Sequence, residues 1–227
     1  METEQVKIQL TADGSHTLYV PEIEEHYHSV NGAIQESLHV YINAGLNCCK
    51  KQTINVLEFG FGTGLNAFLT MIEAGKRKSK INYTSIEKFP LPASVYNQLN
   101  YTKDFPSTFQ QCFGKIHSCE WETFVEISDN FRIKKIPADF SDFKFEDQYD
   151  VVFYDAFAPD KQPEVWSQDI FNKIFEHTNP NAILTTYCAK GHIRRMMQTA
   201  GFNVERIPGP PGKREMLRAR KQPRLPF

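Results

Sequence analysis

The feature that most constrains the fold is a glycine-rich loop between an apolar run and a helical pattern. Residues 54–59 are mostly apolar and predict a buried strand, which continues into the sequence EFGFGTG from Glu58 to Gly64. A helical pattern begins at Leu65. Glycines let the chain turn tightly and approach a ligand, and free N–H groups at a helix start attract anions. Strand, glycine loop and helix together predict an α/β fold that binds a nucleotide-type cofactor.

The rest of this region alternates between strand and helix patterns, which is typical of α/β proteins with a mostly parallel sheet. Further strands are predicted at 81–86, 132–136, 149–154 and 182–186. Helices are predicted at 65–74, 93–99, 119–127, 164–176 and 193–199. Two late strands, at 203–207 and 215–220, follow the last helix and predict an antiparallel edge of the sheet.

The first 50 residues follow a different pattern. Residues 6–20 predict two short strands around Asp13-Gly14, a strong hairpin-turn signal. A helix is predicted to begin near Gly32. We therefore divide the chain into an N-terminal hairpin and helical extension, residues 1–50, and an α/β domain, residues 51–227.

Acidic residues follow three of the predicted strands. Glu87 closes the strand at 81–86, Asp139 comes just after 132–136, and Asp155 follows 149–154. Ligands of open α/β sheets bind at the carboxyl ends of the strands, so these side chains are expected at one site. A carboxylate at Glu87 can accept hydrogen bonds from the hydroxyls of a ribose. Asp139 lies at the position where such folds commonly contact an adenine.

The glycine loop also indicates which cofactor is bound. A dinucleotide fingerprint needs its third glycine at position 65, where this chain has Leu65, and this argues against a nicotinamide oxidoreductase. The pattern instead resembles the first motif of S-adenosylmethionine-dependent methyltransferases, which implies their Rossmann-like fold. The cofactor site is then expected to comprise Glu58, Gly60, Gly62, Gly64, Asn66, Glu87, Lys88, Asp139 and Asp155.

Longer motifs resemble a narrower family, the methyltransferase domain of the tRNA 5-methylaminomethyl-2-thiouridine biosynthesis protein MnmC. The most specific are EKFPL from Glu87 to Leu91 and DAFAP from Asp155 to Pro159, with Trp166 downstream. Others are NGAIQES at 31–37, FGFGTGLN at 59–66, Gly191 with Arg194-Arg195, and GKREM at 212–216.

This resemblance implies methylation of the primary amine of 5-aminomethyl-2-thiouridine at the wobble position of tRNA. Asp155 is the implied catalytic residue. It would orient the amine and accept one of its hydrogens, with direct proton abstraction as the alternative. Arg194, Arg195, Lys213 and Arg214 are assigned to the substrate or tRNA. The resemblance is to the form without the flavin oxidoreductase domain, so neither a flavin nor a metal is expected.

The composition of the chain further limits its possible functions and location. The net charge is −1, but residues 188–227 carry ten basic and two acidic side chains, which leaves −9 on the remainder and can mark a surface for an anionic partner. Five cysteines without a C-x-x-C pair argue against a disulfide framework or a zinc site. We found no apolar run long enough for a transmembrane helix and no signal peptide, so a cytoplasmic protein without an obligate protein partner is expected.

Two other functions remain open at this point. The chain could methylate a small molecule or a protein, in which case the basic C-terminal segment would be incidental. It could also be an inactive tRNA-binding module that keeps the methyltransferase fold, although the intact glycine loop, Glu87 and Asp155 argue against this.

Overall fold

A computed structural model describes residues 6–223. Its centre is an eight-stranded sheet with strand order β10-β11-β9-β8-β4-β5-β7-β6. The strands are β4 (Thr53–Phe59), β5 (Lys80–Ile86), β6 (Val125–Ser128), β7 (Phe131–Ile136), β8 (Tyr149–Tyr154), β9 (Thr178–Thr186), β10 (Asn203–Pro208) and β11 (Glu215–Arg220). Strands β7, β5, β4, β8 and β9 are parallel, whereas β11 and β10 form an antiparallel edge. The α/β class and its antiparallel edge are therefore confirmed.

Five helices lie between or follow these strands. They are α2 (Leu65–Arg77), α3 (Ala93–Tyr96), α4 (Ser107–Ser118), α5 (Gln168–Glu176) and α6 (Gly191–Ala200). Both faces of the sheet are buried in apolar clusters. Neighbouring residues of β4 show this, because their side chains point to opposite faces of the sheet. Ile54 and Val56 join one apolar cluster, and Leu57 and Phe59 join the other.

The N-terminal extension forms a separate small sheet and an irregular helix. Its strands are β1 (Lys7–Leu10), β2 (His16–Val20) and β3 (Glu25–His26), so the predicted hairpin is confirmed. Helix α1 (Ala33–Ser37) continues as a π-helix over Leu38–Asn43, and a 3₁₀ turn follows at Leu46–Cys48. Side chains of the extension share the apolar cluster that contains α2 and α4. The domain boundary at residue 50 stays a prediction.

The predicted helix at 119–127 is wrong. The helix in this region is α4, which follows Pro106 and ends at Ser118. Cys119 has an extended backbone, and Val125 and Ile127 alternate with exposed residues along β6. Strand β6 pairs antiparallel with β7. Its apolar side chains therefore repeat every second residue, as in a strand, and not with the period of a helix.

Other predicted helices have different limits, and α3, for example, ends at Tyr96 instead of residue 99. Helix α2 continues through Gly75 to Arg77, because a helical glycine costs only about 1 kcal/mol and left-handed Lys78 ends the helix instead. The predicted helix at 164–176 is divided. A 3₁₀ turn covers Pro163–Val165, and α5 begins after Ser167, whose side chain accepts the N–H of Ile170. Among residues 6–223, no helix combines the length and apolar character needed to cross a membrane.

Candidate active site

A cavity of about 410 Å³ lies at the carboxyl ends of β4, β5 and β8. This is within the usual range for small-molecule sites. The glycine loop and the residues after β5 and β8 line its base, and residues 25–30 of the N-terminal extension line another side. Glu87, Asp139 and Asp155 all line it, so the three acidic residues that the sequence placed at strand ends meet at one site.

The glycine loop has a backbone that only glycine adopts easily. Gly60 has a φ of 94°, and a Cβ there would lie 2.6 Å from the backbone oxygen of Asp155. Gly62, with a φ of 50°, faces the ring of Tyr27 at 3.0 Å from the position of a Cβ. A larger side chain at Gly62 would therefore meet Tyr27 first. Gly60 and Gly62 line the cavity, so this loop can hold a ligand against its backbone.

Glu87 is held by the backbone beside the loop. One carboxylate oxygen accepts the N–H of Gly62 at 2.9 Å and the other accepts the N–H of Phe89 at 2.8 Å. Burial raises the pKa of Glu87. Lys88 and Asp139 form an ion pair of 2.7 Å at the same side of the cavity, which lowers the pKa of the Asp139 carboxyl. Polar groups therefore line the side of the cavity on which a ribose and an adenine are expected.

Two buried histidines hold the loop at Thr63. The Nε2 atom of His28 lies 2.7 Å from the hydroxyl of Thr63, and Nε2 of His117 lies 3.1 Å from its carbonyl oxygen. Burial lowers the pKa of each histidine to about 4, so both rings are neutral at pH 7. His28 belongs to the N-terminal extension, which is thereby connected directly to the glycine loop.

We expect acid to weaken this connection. The pKa of His28 is about 4 in the fold, below 6.5 for an ordinary histidine, so its contribution to stability is complete above pH 6.5 and is lost as pH falls through 4. Over this window, wild type should lose up to about 3 kcal/mol relative to His28→Gln, which keeps a polar amide without a titrating ring. Urea unfolding of both proteins measures the difference. Parallel pH curves would contradict it.

Asp155 is fixed from two directions. Tyr41 donates its hydroxyl to Oδ1 at 2.6 Å, and Asn66 donates its amide to Oδ2 at 2.8 Å. Burial is the main cause that raises the pKa of Asp155 to about 7, while these hydrogen bonds lower it. The carboxyl group can therefore exchange a proton near neutral pH.

A second carboxyl group lies near Asp155. Glu36 is buried, lines the cavity, and raises the pKa of Asp155 by its charge. Lys213 donates to Glu36 Oε1 at 2.9 Å, and its Nζ lies 3.9 Å from the centre of the Tyr187 ring. The backbone N–H of Ser29 donates to Oε2. The cavity therefore ends in two carboxyl groups, one lysine and an aromatic ring.

Sequence reasoning assigned no role to Tyr41 or Glu36. Glu36 lies inside the NGAIQES segment that carries the family resemblance, and this was the available signal. Tyr41 had no such signal, because only the folding of the N-terminal extension against β9 and α2 brings it to Asp155.

Several residues predicted for the site do not line the cavity. Glu58 is completely buried within β4 and bonded to Ser85, so its side chain does not line the cavity, and its assignment to the cofactor stays a prediction. Gly64 caps α2 beside His117. Lys213 lies in the cavity, whereas Arg194, Arg195 and Arg214 lie outside it. Arg224, part of the basic C-terminal count, falls outside the residues that the structure describes.

Comparisons with known proteins identify the family and the fold. A family described as S-adenosyl-L-methionine-dependent methyltransferase matches residues 108–222, half of the chain. The tRNA 5-methylaminomethyl-2-thiouridine biosynthesis bifunctional protein MnmC of Leptospira borgpetersenii serovar Hardjo-bovis is 30% identical over 209 residues. This match covers 84% of the chain and 31% of the relative. The chain thus spans about a third of the length of the curated relatives it matches.

Solved structures share the fold. The crystal structure of MNMC2 from Aquifex aeolicus matches with a TM-score of 0.77 and 25% identity, over 100% of this chain and 74% of that one. Spermidine synthase from Thermotoga maritima matches with a TM-score of 0.53 and 11% identity, over 96% and 72%. The second similarity concerns the fold alone, so the acceptor must be argued from the site.

Proposed function

Because the chain belongs to the family of S-adenosyl-L-methionine-dependent methyltransferases, we propose that it methylates the amine of 5-aminomethyl-2-thiouridine at the wobble position of tRNA. The observation that carries this proposal is the convergence of Asp155 and Glu36 on one end of the cavity. Carboxylates accept hydrogen bonds from N–H groups, so this end suits an amine acceptor. The names of the curated relatives suggest the nucleoside.

The remaining lining of the cavity suits the cofactor. Gly60 and Gly62 line the cavity with backbone atoms, Glu87 can accept hydrogen bonds from ribose hydroxyls, and the Asp139–Lys88 pair lies where the adenine is expected. When bound, S-adenosylmethionine supplies a methyl group on a positively charged sulfur, which an amine lone pair can attack. Glu58 and Gly64, which do not line the cavity, would support the glycine loop from beneath.

Asp155 would prepare the amine. A free alkylamine has a pKa of about 10.4, so it is mostly protonated at neutral pH and lacks the lone pair that methyl transfer needs. The Asp155 carboxylate can accept one N–H of the amine and thereby orient it, and Tyr41 and Asn66 fix the plane of that carboxylate. Since most of the rate gain in such a displacement comes from positioning, orientation is the main proposed role. Direct proton abstraction is the alternative.

The most direct test uses two tRNA substrates and labelled S-adenosylmethionine. We expect methylation of tRNA that carries 5-aminomethyl-2-thiouridine, and no product from the carboxymethylaminomethyl form. The added carboxylate of the second form would lie near Asp155 and Glu36 and would be repelled by them. Nucleoside mass spectrometry identifies the product. Transfer to the carboxymethyl form, or a flavin spectrum of the purified protein, would contradict the proposal.

A tRNA substrate should also make binding sensitive to salt. Arg195 and Arg214 are exposed, so both can reach phosphates. If each neutralises one phosphate, the Arg195→Ala and Arg214→Ala variants should each reduce the slope of log K against log salt by about 0.7–0.9. Lys80→Ala is the control, because Lys80 begins β5 at the opposite end of the strands from the cavity. Filter-binding titrations from low to high salt measure the slopes.

A small-molecule substrate remains the second candidate. Several arginines of the basic C-terminal segment are paired with acidic residues: Arg206 with Glu215 at 3.2 Å, and Arg218 with Glu205 at 2.7 Å. These pairs reduce the positive charge that is free for phosphates. A salt slope near zero would therefore favour the small-molecule function. A tRNA substrate would place the enzyme in the cytoplasm.

A further inference from the structure

Four residues that line the cavity form a cluster, which we call the acceptor cluster: Glu36, Asp155, Tyr187 and Lys213. They come from distant parts of the chain. Glu36 belongs to α1, Asp155 and Tyr187 follow β8 and β9, and Lys213 lies between β10 and β11. The acceptor cluster therefore brings two acidic groups and one basic group together only in the folded protein.

The ammonium group of Lys213 is fixed beside Glu36. Its Nζ donates to Oε1 of the buried Glu36 carboxylate at 2.9 Å and lies 3.9 Å from the centre of the Tyr187 ring. The segment before Lys213 is also attached to the N-terminal extension, because Nε2 of His39 lies 2.8 Å from the carbonyl oxygen of Pro208. Lys213 is thus held as the partner of Glu36.

Asp155 has no such partner. Its two oxygens accept hydrogen bonds from Tyr41 and Asn66, which are neutral donors, and it forms no ion pair within residues 6–223. Burial is the main cause that raises the pKa of Asp155; beyond it, the charge of Glu36 raises this pKa and the charge of Lys213 lowers it. Both members of the ion pair therefore act on Asp155, with opposite signs.

An amine acceptor would be sensitive to the same charges. An alkylamine has a pKa of about 10.4 and must lose one proton before its lone pair can attack a methyl group. A second negative charge beside it would favour the ammonium form, whereas a positive charge nearby favours the neutral amine. A cluster with one net negative charge can therefore bind the amine and still let it lose its proton.

We propose that Lys213 cancels the charge of Glu36, so that the acceptor cluster presents a single net negative charge, on Asp155, to one amine. The bound ammonium loses one proton to solvent. Its lone pair then forms the N–C bond, while the C–S bond of the cofactor breaks and leaves its electron pair on sulfur. Lys213 acts on this sequence through its charge alone. Its effect on the amine rests on the proposed function, whereas the charge balance can be measured in the free protein.

The acceptor cluster has other titratable neighbours in the elements around it. They are Glu25, His28 and Tyr41 of the N-terminal extension, Glu58 and Tyr83 of the sheet, and Cys188 after β9. The variants below retain all of them. A difference between two variants therefore reports the Glu36–Lys213 pair.

The first test measures the pKa of Asp155 by NMR in protein labelled with carbon-13 aspartate, with Asp155→Asn to assign the signal. Lys213→Met removes the charge and should raise this pKa by about one pH unit, and Glu36→Gln should lower it by a similar amount. The double variant restores one net negative charge and should return the pKa close to that of wild type. Lys134→Met is the control, because its 2.9 Å ion pair with Glu146 lies outside the cavity.

Lys213→Met decides this test even if Glu36→Gln does not fold, because the Lys213 side chain is partly exposed. If Asp155 titrates at the same pH in Lys213→Met and in wild type, the proposal is overturned.

The second test follows the pH profile of kcat with modified tRNA, which reports groups in the enzyme–substrate complex. In Lys213→Met the acid limb should move by about one pH unit towards alkaline pH, so kcat at pH 7 should fall about tenfold. The Glu36→Gln/Lys213→Met double variant should recover to within about threefold of wild type. S-adenosylhomocysteine affinity should stay unchanged in both.

A role of Lys213 in tRNA contact alone would give a different result. It would raise KM at every pH, leave the acid limb in place and leave the double variant as impaired as Lys213→Met, and this outcome would overturn the proposal. If wild type does not methylate the tRNA while the pKa of Asp155 moves as expected, the proposed substrate is wrong and the charge balance stands.

Discussion

Asp155→Ala should bind S-adenosylhomocysteine almost as wild type does and lose methyl transfer by about 10²–10⁴-fold, the usual contribution of a positioned acid–base group. The loss is expected because Asp155 lies where the acceptor amine is proposed, whereas Glu87 and Asp139, proposed for the ribose and the adenine, follow other strands. Single-turnover rates with modified tRNA, together with calorimetry, separate the two effects. Asp169→Ala is the matched control, since Asp169 is exposed and pairs with Lys173 on α5, outside the cavity.

The pH dependence gives a second readout for the same residue. With a pKa of about 7, Asp155 should be increasingly protonated below neutral pH and unable to accept an N–H from the amine. The pH profile of kcat/KM in wild type should therefore fall on the acid side of pH 7. Asp155→Asn should have a low rate and no inflection there. Near wild-type turnover by either variant would mean that Asp155 does not orient the acceptor amine.

Gly60→Val should abolish cofactor binding, with a loss of at least about 100-fold in affinity. A β-branched residue at a φ of 94° is strained by about 1–3 kcal/mol, and its Cβ would lie 2.6 Å from the backbone oxygen of Asp155. The loop would have to move away from β8, and the cavity would change shape. Calorimetry with S-adenosylhomocysteine measures the loss. Wild type should show binding to this ligand and none to NAD.

Gly75→Ala is a suitable control for that variant. Gly75 lies within α2, and a Cβ there meets no atom within 4 Å. Alanine should leave cofactor affinity unchanged and stabilise the protein by up to about 1 kcal/mol, because it favours the helix. Unchanged affinity in Gly60→Val would show that the loop is not the cofactor site. A loss of affinity in both variants would indicate a general effect of α2.

The sheet and the glycine loop could be predicted from the sequence because their signals are local. The apolar run before Gly60 and the strand at 81–86 appear in the structure within a residue of the predicted limits. The carboxyl-end rule then placed Glu87, Asp139 and Asp155 around one cavity. These inferences needed only periodicity, turn chemistry and the general topology of parallel sheets.

Other parts of the site depend on contacts that are distant in sequence. The Tyr41–Asp155 hydrogen bond spans 114 residues, and the Lys213–Glu36 pair spans 177. No local pattern reports such pairs. The buried role of Glu58 was also missed, because the motif shows an acidic residue before a glycine loop but does not show which way its side chain points. Alternation along β4 places it on the same face of the sheet as Ile54 and Val56, beside Ser85 of β5.

The π-helix at Leu38–Asn43 makes the active site sensitive to the length of the chain. Its wider turn, in which the N–H of Ala44 bonds to the carbonyl of His39, contains one residue more than a regular α-helical turn would. Removing a single residue ahead of Tyr41 would allow the segment to become α-helical, and each residue of an α-helix turns by about 100°. Tyr41 would then lose its hydrogen bond to Asp155, although the sequence would still contain every side chain of the site. Insertions and deletions in residues 38–43 should therefore be far less tolerated than substitutions.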